Sequence, residues 1–171
     1  MLGSFPPKRE RWSMDFFYPN IQNDMWRIMG LLFYNDKDYF IDIVQGKPRF
    51  SYERVVDFCT AKHIALYDAA SAVRRLKDNA SDAFLEIVQP TDIPTMLRQL
   101  PNCRKVVSTG GKSADVIAAQ LGCAVPAVGS CTPFTLDGKS YRFYRMPSSS
   151  RAYPLKLEKK AEAYKMVFEE K

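Results

Sequence analysis

The chain has 171 residues, 46% hydrophobic and 26% charged, with a formal net charge of +6 and a pI near 9.1. That composition fits a globular chain long enough for one hydrophobic core and excludes a disordered or collagen-like polypeptide. No apolar run reaches the ~18–20 residues of a membrane span, and the mild basic excess is compatible with a polyanionic partner.

The first 26 residues hold "LGSFPPKRERWSMDFFYPNIQNDMW", an aromatic and basic stretch with little periodicity. It lacks the basic-then-apolar order of a signal peptide, so a cytoplasmic location is expected. Residues 20–34 place Ile21, Met25, Ile28, Met29, Leu32 and Phe33 at helical spacing, with Asn20 as the expected N-cap and Asn23 in the first turn. Residues 35–50 read as connecting structure around "YFIDIV". A second helix is expected from Ser51 to Lys62. "IALYDAA" reads as a short buried strand or a turn, and "FLEIV" as a strand.

"TDIPTMLRQLP" has the marks of a capped helix, with Thr91 or Asp92 at the cap, Pro94 in the first turn and Pro101 past the end. "CRKVVSTGG" is a strand entering a glycine turn, and "KSADVIAAQLG" a helix closed by Gly122. Strand, glycine turn and helix in that order imply a parallel α/β sheet. "FTLDGKSYRFYRM" carries the Asp-Gly signal of a hairpin. "PSSSRAYP" is a loop and "LKLEKKAEAYKMVFEE" a terminal helix. The predicted fold class is α/β, a three-layer α/β/α arrangement with a short, mostly parallel central sheet whose strands include "FLEIV", "KVVST" and "YRFYRM". One domain, residues 1–171, is expected.

Gly111-Lys112-Ser113 matches the end of a P-loop, but the glycine required five positions before the Gly-Lys pair is Val106. What remains is a glycine turn at the carboxyl end of a strand, where ligands of open α/β sheets bind; the alternative is a simple tight turn. The single histidine, His63, sits beside an apolar run and reads as structural, which argues against Ser–His–Asp chemistry and against a His-based metal site. Cys59, Cys103, Cys123 and Cys131 form no CxxC pair and read as separate, reduced, mostly buried thiols. The hydroxyl run of "PSSSRAYP" suits close approach to phosphates, with an ordinary polar loop as the alternative.

Taken in order, "LGSFP", "FFYPNIQNDMW", "IALYDAA", "SDAFLEIV", "STGGKSA" and "PSSSRA" resemble the uracil-DNA glycosylase superfamily, nearest its mismatch-specific and hypoxanthine-type branches. The resemblance covers most of the chain. It implies that Gly3, Ser4 and Phe5 form a wall of a pocket for a flipped base, that Phe17 or Tyr18 of the Phe16–Tyr18 triplet stacks on the base, and that Gly110 and Gly111 face it. Asn23 matches the Asn of Asn-x-(Phe)-Trp, with Met25 in place of Phe and Trp26 retained, and is the implied water-positioning catalytic residue. Pro147, Ser148, Ser149, Ser150 and Arg151 match the second motif, which presses on the DNA backbone. Arg9, Arg11 and Lys112 are further candidates for phosphate contacts. This sequence departs from that family in four places: Ser108 and Thr109 stand where many members have a base-reading Asn, Met146 precedes Pro147 where many have His, Pro7 stands where many have Gly, and Met1-Leu2 stand where members have a full strand before Gly-Ser.

The implied activity is that of a monofunctional, monomeric glycosylase hydrolysing the N-glycosidic bond of a damaged or mismatched base in DNA, with no cofactor and no metal. Cleavage through an oxocarbenium-like sugar needs base extrusion, charge stabilisation and a placed water. Two other classes remain open from the residues: a glycosylase-like module that binds nucleic acid without cleaving it, and a small-molecule enzyme on the same scaffold.

Overall fold

The computed structural model describes residues 1–76 and 84–169. In chain order the elements are β1 (Leu2–Gly3), a 3-10 turn (Arg9–Arg11), α1 (Met25–Tyr34), β2 (Ile41–Val44), β3 (Lys47–Phe50), α2 (Tyr52–Ala61), β4 (Tyr67–Asp68), β5 (Ala70–Arg75), β6 (Leu85–Pro90), α3 (Ile93–Arg98), β7 (Lys105–Ser108), α4 (Gly111–Leu121), β8 (Ser130–Leu136), β9 (Lys139–Arg145) and α5 (Leu157–Glu169). The chain divides into two compact units: residues 1–5 with 67–148, and residues 6–66 with 149–171.

The first unit contains a five-stranded sheet in the order β4-β1-β7-β9-β8. Every pair is parallel except β8–β9, so the expected mixed α/β class with a short, mostly parallel sheet holds. Val106, Val107 and Ser108 of β7 are all buried, as a central parallel strand requires. Leu2, Val106, Phe134 and Phe143 from the strands pack with Ile93, Leu97, Ala114 and Ile117 from α3 and α4 in one apolar cluster. Asp92 caps α3, its carboxylate accepting the Thr95 N–H at 3.0 Å. The β8–β9 hairpin turns through Asp137 and Gly138, both at positive φ, the conformation that matches strand twist.

One strand lies elsewhere than expected. The "FLEIV" segment is extended, but β6 pairs antiparallel with β5 in a separate two-stranded ribbon, outside the central sheet. Its side chains explain this. Leu85 is buried while Glu86 and Val88 are exposed, so one face meets solvent. In "IALYDAA" the central-sheet strand is Tyr67–Asp68, which forms the sheet edge beside β1 with Tyr67 exposed rather than buried, and Ala70 already begins β5.

The second unit packs α1 against α5, with α2 and the β2–β3 hairpin. Its core is aromatic. Phe33 meets Phe58 and Phe168 edge-on with centroids 5.0 Å away, Phe40 meets Phe58 at 5.2 Å, and Trp26 meets Phe40 at 5.9 Å. Such edge-to-face pairs add to the burial of the rings themselves. Gly30 is needed where α1 passes its C-terminal loop: a Cβ there would lie 2.3 Å from the Asp36 carbonyl oxygen. Residues 41–50, expected as connection, form the β2–β3 hairpin.

Helix α1 begins later than its periodicity implies, because asparagine side chains compete for the backbone. Asn20 Oδ1 accepts the Gln22 N–H at 3.0 Å and the Asn20 carbonyl accepts the Asn23 N–H at 2.8 Å, closing a turn rather than capping a helix. Asn23 and Asp24 therefore precede α1 instead of lying in its first turn. Of the four thiols, all unpaired, only Cys59 is fully buried, and burial pushes its pKa up to about 11; Cys103, Cys123 and Cys131 are partly exposed, so the expected burial holds for one of four.

Candidate functional site

In the second unit the sequence motifs around Asn23 and Ser149 meet. Asn23 and Ser150 form an isolated antiparallel bridge, and the Asp24 N–H donates to the Ser149 carbonyl at 2.8 Å. The half-buried Asn23 side chain accepts the Met25 N–H through Oδ1 at 2.9 Å. One lone pair of that oxygen thus satisfies a helix-terminal donor, and the second remains for another partner.

The contact between these two segments is reinforced by charge. Asp24, with 9% of its side chain exposed, accepts Lys160 Nζ on Oδ2 at 2.9 Å and Arg151 Nε on Oδ1 at 3.3 Å. Lys160 is completely buried and also donates to the Ser150 carbonyl at 2.7 Å. Arg151 is half exposed, and its Nη2 reaches the Ile21 carbonyl at 3.5 Å. The neighbouring Arg27 donates to the same carbonyl at 2.6 Å. Burial first, and the charge of Arg151 second, hold the Arg27 guanidinium below its ordinary range.

The segment before Asn23 is a folded loop. Trp12 Nε1 donates to the Pro7 carbonyl at 2.8 Å, and the Ser13 N–H and hydroxyl both reach the Pro19 carbonyl. Phe17 and Tyr18 are half-buried; the Phe17 carbonyl accepts Trp26 Nε1 at 3.1 Å, and the Tyr18 ring meets Trp26 edge-on at 6.2 Å. Tyr18 holds φ at +51°, a backbone conformation unusual for a bulky residue. Arg9 and Arg11 are exposed, with Arg9 paired to Asp15 at 2.9 Å and lying over the Trp12 ring.

In the first unit, Gly3, Ser4 and Gly110 lie at the carboxyl ends of β1 and β7. The Leu2 carbonyl accepts the Thr109 N–H at 3.1 Å, and the Ser4 carbonyl accepts the Ala70 N–H at 3.2 Å. Ser108 and Thr109 are buried; their hydroxyls donate to the carbonyls of Tyr144 and Leu2. Gly110 precedes α4, where the first N–H groups have no intrahelical acceptor; Ala114 is the first to bond back, to Gly110 O at 3.2 Å. The Arg145 guanidinium lies against Gly111, donates to the Pro126 carbonyl, and has a buried Nε without an acceptor. Phe5 and Ser148 are half-buried and Pro147 is buried.

Sequence reasoning passed over four charged residues here. Lys160 shares a helix face with the buried Tyr164 and Val167, so a lysine on an apolar stripe was its signal. Asp68 is a lone acid within "IALYDAA", next to Gly3 in register, and burial pushes its pKa up to about 6. Asp24 and Arg145 carry no distinctive local pattern. Among the described residues, no group of three or more His, Cys, Asp or Glu converges as a metal site, and no helix is long and apolar enough to cross a membrane.

No protein-family model matches the chain, and no curated protein does. Among solved structures it is similar to a protein of Methanosarcina acetivorans named "putative uracil DNA glycosylase", determined by solution NMR. The TM-score is 0.61 at 20% identity, over 99% of this chain and 89% of that one. The likeness shows a shared fold.

Proposed function

We propose that the chain is a monofunctional DNA glycosylase, a cytoplasmic monomer that hydrolyses the N-glycosidic bond of a deaminated base flipped out of DNA. The observation that carries this reading is the bridge between Asn23 and Ser150 in a chain of this fold. It ties the residue proposed to position water to the loop proposed to press on the DNA backbone.

In this reading the free lone pair of Asn23 Oδ1 orients the attacking water. An amide is a poor general base, so the reaction relies on the leaving ability of the base and on stabilisation of the oxocarbenium-like sugar. Phe17 or Tyr18 stacks on the base. In the first unit Gly3, Ser4, Phe5, Gly110 and Gly111 are the base-binding candidates, the glycines among them admitting close approach. Ser148, Ser149, Ser150 and Arg151, with Arg9, Arg11 and Lys112, contact phosphates, and Pro147 stiffens the loop.

The test is single-turnover incubation with duplex oligonucleotides that each carry one uracil, hypoxanthine or xanthine, followed by alkali to break abasic sites. Scission at one modified position is the expected result. Intact strands across the whole set, with retained binding, would establish the second reading, a glycosylase-like protein that binds nucleic acid without cleaving it. That reading is favoured by the engagement of Asn23 Oδ1 with the Met25 N–H.

A further inference from the structure

A fully buried lysine is costly unless its charge is paired and its protons are accepted. Lys160 meets that requirement with two acceptors, Asp24 Oδ2 and the Ser150 carbonyl. Its charge balances the one carboxylate in the cluster. Arg151 approaches the same carboxylate at 3.3 Å from a half-exposed position. Two cations thus share one anion, and the surplus positive charge sits on the exposed partner. Arg27 adds a third cation beside the cluster, donating to the same Ile21 carbonyl that Arg151 reaches.

We propose that Lys160 is a positioning residue: by neutralising Asp24 from inside, it leaves Arg151 free to hold a DNA phosphate, and by binding the Ser150 carbonyl it fixes that loop in register with Asn23. The inference rests on the DNA-binding part of the reading above. Without Lys160, Asp24 would keep Arg151 as its directly bonded counter-ion and draw it away from solvent.

The experiment measures binding to duplex DNA as a function of salt for the wild type, Arg151→Ala, Lys160→Met and the pair Lys160→Met/Asp24→Asn. Single-turnover cleavage is followed on the same oligonucleotides. Arg151→Ala should reduce the slope of log affinity against log salt by about 0.9, the loss of one phosphate contact. Lys160→Met should reduce it equally although the arginine is still present. The double variant, with no carboxylate to hold Arg151, should regain the wild-type slope. A residue that only supports the fold would not produce this loss and recovery.

Cleavage should fall about 10²-fold in both Lys160 variants, the scale of a displacement near 1 Å at a reacting centre. A wild-type slope in Lys160→Met, or a reduced slope in the double variant, would overturn the inference. Should Lys160→Met fail to fold, the double variant alone decides by that same slope. Wild-type protein that binds but cleaves nothing defeats the glycosylase reading, while the slopes still decide the role of Lys160. Wild-type protein that does not bind DNA defeats both.

Discussion

The two units hold their candidate functional segments by different means. In the first, the carboxyl ends of β1 and β7 are placed by strand register: Leu2 pairs with Ser108, Gly3 with Asp68, and the following residues continue in backbone hydrogen bonds. In the second, Asn23 and the Ser149–Arg151 loop meet through a single bridge, reinforced by side-chain charges on Asp24, Lys160 and Arg151. A sheet ladder spreads its stabilisation over many neutral contacts, so one side chain matters little. An ionic lock concentrates it, so one side chain matters greatly.

The sharpest break of this contrast is Asp24→Ala. It strands Lys160 as an uncompensated buried cation and should cost about 3–5 kcal/mol, the penalty for removing one partner of a buried pair. A denaturant titration at neutral pH checks it. Removing the Ser108 hydroxyl, which is equally buried but serves only the Tyr144 carbonyl, should cost about 1 kcal/mol in the same titration. Equal losses at the two positions would mean that the ionic lock has no special weight.

Asn23 comes next, with an observed structural role and a proposed chemical one to separate. Asn23→Ala should lower single-turnover cleavage by about 10²-fold and also cost about 1 kcal/mol, because the Met25 N–H loses its acceptor. Asn23→Asp keeps an acceptor at that place, so its melting temperature should stay near the wild-type value. A cleavage rate unchanged by the alanine variant would leave Asn23 a helix-terminal hydrogen-bonder alone.

A further test probes the buried carboxyl at the sheet edge. Burial raises the Asp68 pKa to about 6, so the folded state holds its proton more tightly than the unfolded chain. Above pH 6 the folded protein carries a buried charge at a cost; below about 4 both states are protonated and the cost vanishes. Asp68→Asn should therefore raise the melting temperature at pH 7.5, with a gain that shrinks as pH falls from 6 toward 4. Thermal melts at pH 4 and 7.5 read the difference. A constant gain would mean that the carboxyl titrates alike in both states.

Much of the fold follows from local signals. "TDIPTMLRQLP" forms the capped helix α3, "KSADVIAAQLG" forms α4 and stops at Gly122, and Asp137-Gly138 closes the β8–β9 hairpin. Each depends on interactions within a few residues, which a sequence displays directly. Periodicity also marked residues 20–34 as helical, but the start of α1 was settled by which acceptor Asn20 and Asn23 would serve, a competition that pattern does not resolve.

Sequence by itself determined the α/β class, the strand–glycine turn–helix unit at 105–121, and the order of motifs around Asn23 and Ser148–Arg151. Tertiary structure alone decided that β6 joins β5 in a ribbon rather than the central sheet, because strand pairing depends on which edge is open and which face is covered. It alone decided that Lys160, 136 positions from Asp24, is that residue's counter-ion. Charge pairing inside a protein depends on distance and burial, and neither is a property of sequence separation.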